Sequence, residues 1–151
     1  MNRTMLVLLL LVAFAVPASA QYGYPTQTVY DSGFTYTLYS SGNITRDGGW
    51  GGRVLLDDGT GTMMIAAGSG RLYALKNNGN IWMNDGQWRM IDNGTGTSRI
   101  WVDFGTVCCQ KNNGQTFRCV EPYSMQWAPA NGGGFRNFAR AQNFDKLHDI
   151  K

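Results

Sequence analysis

GRLYALKNNGNIWMNDGQWRMIDNGTGT, residues 70–97, reads as short strands cut by tight turns. Its connections are Asn77-Asn78-Gly79, Asp85-Gly86 and Asn93-Gly94-Thr95-Gly96. Asn-Gly and Asp-Gly pairs favour positive φ at a turn centre, which matches the twist of hairpin strands. Strands are therefore predicted over Arg71–Lys76, Asn80–Asn84 and Gln87–Asp92, with a fourth, Thr62–Ala67, joined through Gly68-Ser69-Gly70. That is an antiparallel meander. Leu72, Tyr73, Ala74 and Leu75, then Ile81, Trp82 and Met83, place apolar side chains on both of its faces. A sheet of this kind belongs between two others, because it cannot bury both faces alone.

The neighbours are in the same chain. GFTYTLYSSGNITRDGGWGGRVLLDDGTGT starts at Gly33, and GTVCCQKNNGQTFRCVEPYSMQWAPANGGG starts at Gly105. The turn glycines Gly42, Gly79 and Gly114 stand 37 and 35 residues apart, and Gly59, Gly94 and Gly132 stand 35 and 38 apart. The repeats run over about 26–62, 62–97 and 97–134. Residues 135–151 then read as half of a fourth repeat, with strands at Asn137–Ala141 and Lys146–Lys151, or as an amphipathic tail. The expected fold class is all-β: three antiparallel four-stranded meanders stacked as a partial propeller, with a β-trefoil as the alternative.

Composition agrees. The 151 residues include 20 Gly, 13% aromatics and only 15% charged residues. This excludes a disordered chain, which lacks aromatics, and a helix bundle or coiled coil, which needs Ala/Glu/Lys/Leu periodicity. A net charge of +3 carried by scattered single basic residues argues against nucleic acid as a partner. Residues 1–20 carry the marks of a secretory signal peptide: Arg3, the apolar run Met5–Val16, and Ala18-Ser19-Ala20 before Gln21. The run is shorter than the roughly 20 residues of a membrane span, so no membrane anchor is expected. The expected location is secreted or periplasmic, where disulfides persist.

The motif Gly70-x-Leu72-Tyr73-Ala74-Leu75-x-x-x-Gly79-x-Ile81-Trp82, then Gly86-x-Trp88, then Asp92-Asn93-Gly94-Thr95, resembles the β-propeller repeats of the tectonin type. The resemblance covers roughly residues 26 to 134. It is close in the middle copy and partial in the first, where Thr45 replaces Trp82. It is weakest in the third, where Cys109 replaces a leucine and Phe117 a tryptophan. It implies a lectin-like or lipopolysaccharide-binding role. Closed propellers carry about four to eight blades, so three repeats imply a homo-oligomer or an open arc.

Catalysis is not expected. His148 is the only histidine and Glu121 the only glutamate, and Asp57, Asp58, Asp85 and Asp92 sit beside turn glycines. Aspartates there usually bond their own backbone. The same geometry, without a closing glutamate, makes Asp57-Asp58-Gly59 and Asp92-Asn93-Gly94 turns rather than calcium sites. No metal and no other cofactor is expected. The ligand candidates are Trp50 and Trp88, each after a turn and each followed by an arginine, Arg53 and Arg89. The expected function is a non-enzymatic exported module that binds surface carbohydrate or glycolipid in aromatic clefts between blades. The alternative is a protein-interaction or envelope-structural module with no ligand site. Of the three cysteines, a two-residue Asn113-Gly114 loop pairs Cys108 with Cys119 as a disulfide. A three-residue loop instead pairs residue 108 with 118, and three reduced buried thiols are the competing expectation.

Overall fold

A computed structural model describes residues 22–59, 61–94 and 96–130. The signal-peptide expectation and the half-repeat expected over residues 135–151 fall outside these residues. The first sheet holds β1 (Pro25–Asp31), β2 (Phe34–Tyr39), β3 (Asn43–Asp47) and β4 (Val54–Asp58). The second holds β5 (Thr62–Gly68), β6 (Arg71–Lys76), β7 (Ile81–Asn84) and β8 (Trp88–Asp92). The third holds β9 (Thr97–Asp103), β10 (Thr106–Lys111), β11 (Thr116–Glu121) and β12 (Gln126–Pro129). Each sheet pairs its strands in chain order. The fold is all-β and built of three four-stranded antiparallel meanders, as the repeats predict. The sheets do not close into a barrel, which removes the trefoil alternative.

The turns repeat as well as the strands. Each β1–β2-type hairpin closes through two residues at positive φ: Ser32-Gly33, Ser69-Gly70 and Phe104-Gly105. These are the hairpin turns whose twist matches the strands. Each middle hairpin closes through three residues, with Gly42, Gly79 or Gly114 last. Their N–H groups donate back to Tyr39, Lys76 and Lys111 carbonyls at 2.8, 2.9 and 2.8 Å. Glycine is required at Gly42 twice over, since φ is 87° and a Cβ would sit 2.4 Å from the Gly59 carbonyl oxygen.

This loop length corrects the cysteine pairing. The hairpin places Cys108 opposite Arg118 and Cys109 opposite Phe117. Cys119 lies opposite Trp127. Neighbouring residues of a strand face opposite sides, so Cys108 and Cys119 lie on different faces of the sheet. All three cysteines are free thiols. The asparagine-glycine pair is part of a three-residue turn with Gly114 in the left-handed position, and that one extra residue moves the register. Burial pushes the Cys109 thiol up to about 12 and the Cys119 thiol to about 11.

Two apolar interfaces hold the sheets together. Tyr36, Leu38 and Ile44 of the first sheet meet Ile65, Leu72 and Ala74 of the second. The other face of the second sheet presents Tyr73, Leu75, Ile81, Met83 and Ile91 to Ile100, Val107, Cys109 and Cys119 of the third. The middle sheet is therefore buried on both sides, as its uninterrupted apolar strands predict. The innermost strands pack in sequence, β1 on β5 and β5 on β9. There the Gln27 amide takes the place of a ladder partner. It donates to the Ile65 carbonyl at 2.7 Å and accepts from the Ile65 N–H at 2.8 Å.

Candidate functional site: the cleft between the first two sheets

The four residues singled out as ligand candidates do not form one surface. Trp50 is fully exposed on the β3–β4 connection. Arg53, on the same connection, donates through Nε to both oxygens of Asp47 at 3.1 Å. Trp88 turns into the interface with the first sheet, where it packs on the apolar cluster and its Nε1 donates to the Leu56 carbonyl at 2.8 Å. Arg89, the next residue, faces the other way. Its Nη2 lies 3.3 Å from Asp85 Oδ1, and its guanidinium stands over an aromatic face, 4.9 Å from the Tyr123 ring centroid.

The role of Trp88 is repeated one sheet later. Trp127 Nε1 donates to the Ile91 carbonyl at 2.9 Å. Leu56 and Ile91 are equivalent positions, 35 residues apart. A second device also repeats. Lys76 joins Asp57, at the end of β4, to Thr62 at the start of β5. Lys111 joins Asp92 at 2.7 Å and Thr97 at 2.8 Å. Each lysine thus ties one sheet's outer strand to the next sheet's inner strand. These contacts assign structural work to Trp88, Asp57 and Asp92.

An open cleft of about 220 Å³ lies between the first two sheets, lined among others by Ser32, Phe34, Tyr36, Arg46, Asn84 and Asp85. Phe34 and Tyr36 alternate along β2 and their rings tilt together at 6.3 Å. Arg46, opposite Tyr36 in β3, lays its guanidinium 4.7 Å from the Phe34 centroid. Its Nε is buried and has no hydrogen-bond partner. Burial raises the Tyr36 phenol above its usual range; Arg46 opposes this and Asp31 adds to it.

The corresponding position between the second and third sheets is finished differently. Tyr73 replaces Tyr36, Arg71 replaces Phe34, and Met83, fully buried, replaces Arg46. Tyr123, from a short 3-10 turn at Pro122–Ser124, reaches across and donates its hydroxyl to Asp85 Oδ2 at 2.9 Å. That hydroxyl holds the Asp85 carboxyl below the usual carboxylate range; burial works against it and Arg89 adds to it.

Phe34, Tyr36 and Arg46 were not among the candidates read from sequence. The signal was present in the repeat alignment: an arginine stands where the middle copy carries a core methionine. A smaller cavity of about 190 Å³ lies where β1, β5 and β9 converge, with Gln27, Met64 and Arg99 in its wall. Among the described residues no group of three or more His, Cys, Asp or Glu could hold a metal ion.

These sheets and their stacking define a propeller-like all-β protein. No family model matches the chain, and no curated protein matches it. Among solved structures it is similar to human WBSCR16, a β-propeller-like protein, with a TM-score of 0.54 and 15% identity. The likeness covers 64% of this chain and 33% of that one, so the chain spans about a third of its neighbour's length. At this identity the likeness speaks for the fold alone.

Proposed function

We propose that this chain is an exported, non-enzymatic binding module of tectonin-type repeats, which recognises surface carbohydrate in the cleft between its first two blades. One observation carries the reading. Of two equivalent inter-blade positions, one carries the buried Met83 and is spanned by the Tyr123–Asp85 hydrogen bond, and the other holds a cleft with Phe34, Tyr36, Arg46 and Asn84 on its walls. Aromatic rings beside fixed polar groups suit a sugar, which offers a flat apolar face and a rim of hydroxyls. Five of the described carboxylates are held by neighbouring groups, which supports a non-catalytic role. Asp57 and Asp92 are held by lysines, Asp47 and Asp85 by arginines, and Glu121 accepts from the Tyr123 N–H at 3.1 Å.

A glycan array probed with mature protein tests the reading; binding to a defined set of sugars, lost on Phe34→Ala with the fold retained, is the expected result. No bound glycan would overturn it in favour of a protein-interaction module. Three blades fall short of the about four to eight of a closed ring, so we expect copies to associate and multiply the clefts. Light scattering at tens of micromolar should give a mass above one chain, and a clean monomer would remove the oligomer.

A further inference from the structure

We infer that the cleft between the first two sheets takes a sugar bearing a carboxylate, with the Arg46 guanidinium as the anchor for that group. The inference rests on the carbohydrate reading above and adds the charge of the ligand to it. Four observations meet at this residue. The Arg46 Nε is shut away from water without a hydrogen-bond partner, an arrangement that costs free energy. No ion pair among the described residues involves it.

The neighbouring acids are already engaged. Asp31 Oδ2 accepts from the Gly70 N–H at 2.6 Å and the Ser32 hydroxyl at 3.0 Å. Asp85 holds Arg89 on one oxygen and Tyr123 on the other. Among the described residues no carboxylate pairs with Arg46, so a ligand carboxylate would be its first ion-pair partner. Nor does blade packing ask for a cation here, since the middle repeat fills the same register position with Met83.

The ligand class follows from shape and charge. The Phe34 ring fixes the guanidinium plane through a cation–π contact, so its fork is set before anything binds. A planar fork matches a carboxylate through two parallel hydrogen bonds. About 220 Å³ is below the roughly 300–1,000 Å³ of sites for larger ligands, which limits the cleft to a single terminal ring. The Ser32 hydroxyl and the Asn84 amide, in the wall of the cleft, suit hydrogen bonds to the hydroxyls of a sugar.

The test uses the mature protein and three disaccharides that differ only at the terminal ring: glucuronate, glucose and glucose 6-sulfate, titrated by calorimetry. Glucuronate should bind at least about tenfold more tightly than glucose, the value of one charge-assisted contact. Arg46→Lys, which keeps the charge and loses the fork, should bring the two within about threefold while glucose binding stays. Equal affinity for glucuronate and glucose in the wild type overturns the inference and leaves the carbohydrate reading standing. A sulfate terminus bound as tightly as the uronate also overturns the carboxylate assignment. Failure of all three sugars to bind overturns both readings together. Because the comparison within the wild type decides the question, a poorly folding variant cannot rescue it.

Discussion

Between the first and second sheets, Trp88 holds the Leu56 carbonyl and Lys76 clasps Asp57; between the second and third, Trp127 holds Ile91 and Lys111 clasps Asp92. The fastening is the same and the filling is not. One interface ends in Phe34, Tyr36 and an Arg46 whose Nε has no hydrogen-bond partner. The other ends in Tyr73, Met83 and a tyrosine brought in by an inserted turn. What recurs at equivalent positions is needed to stack one blade on the next. What differs is free to serve something else. By this rule Trp88 belongs to the fold, and Arg46 is the residue we propose for a ligand.

The comparison breaks most easily at the tryptophans. Trp88→Ala removes a large ring from an interface and leaves the Leu56 carbonyl without its donor. It should cost about 3–5 kcal/mol, measured by chemical denaturation. Trp50→Ala, on a fully exposed side chain, should change stability by less than about 0.5 kcal/mol. Equal effects from the two would remove the inter-blade clamp as an explanation.

The lysine clasp should come next in size. Lys111→Met leaves the Asp92 carboxylate, whose side chain is 12% exposed, with the Gly94 N–H at 2.8 Å as its one remaining hydrogen-bond donor among the described residues. The loss should be about 2 kcal/mol, below the roughly 3–5 of a fully buried pair because water reaches part of this one. Lys76→Met should match it, since its clasp is the same device. A large loss in one and none in the other would show that the two interfaces are not fastened alike.

Much of the fold is legible because turn chemistry is local. Asn77-Asn78-Gly79 and its two equivalents mark the middle hairpins, and Ser69-Gly70 the tight one, so the strands of the middle sheet fall within a residue or two of their predicted ends. Register is less legible. Asn113-Gly114 serves a two-residue or a three-residue loop equally well, and the choice decides which residue faces Cys108. The binding side chains are harder still. Trp88 reads as an exposed aromatic after a turn, yet its partner is a carbonyl 32 residues away. Tyr123 lies in an insertion relative to the middle copy, which passes from β7 to β8 through Asp85, Gly86 and Gln87 alone, so the middle copy gives no hint of where its ring goes.

That insertion offers a sharper test at smaller cost. Tyr123→Ala removes the ring from over Arg89 and the hydroxyl from Asp85. Tyr123 is itself more than half exposed, so the stability loss should be about 1 kcal/mol or less. The informative readout is binding. With the second position uncovered, it still carries Met83 where the first carries Arg46, so no second site for an acidic sugar should emerge. A doubled stoichiometry in titration would mean that Tyr123 alone separates the two positions.

The smallest expected effect is one of pH, and it should act through Asp85. The Tyr123 hydroxyl depresses the Asp85 carboxyl in the folded chain. A depressed folded value means that the clasp contributes fully above the unfolded carboxyl value of about 3.9. Its contribution is lost as pH falls through the folded value. The window therefore lies on the acid side of about pH 4. Near-ultraviolet circular dichroism, which senses fixed aromatic rings, should show a step there in the wild type. Asp85→Asn should abolish that step, since the amide does not titrate, and Phe34→Leu should leave it in place. A step that survives Asp85→Asn would trace the signal to another carboxylate and uncouple Tyr123 from Asp85.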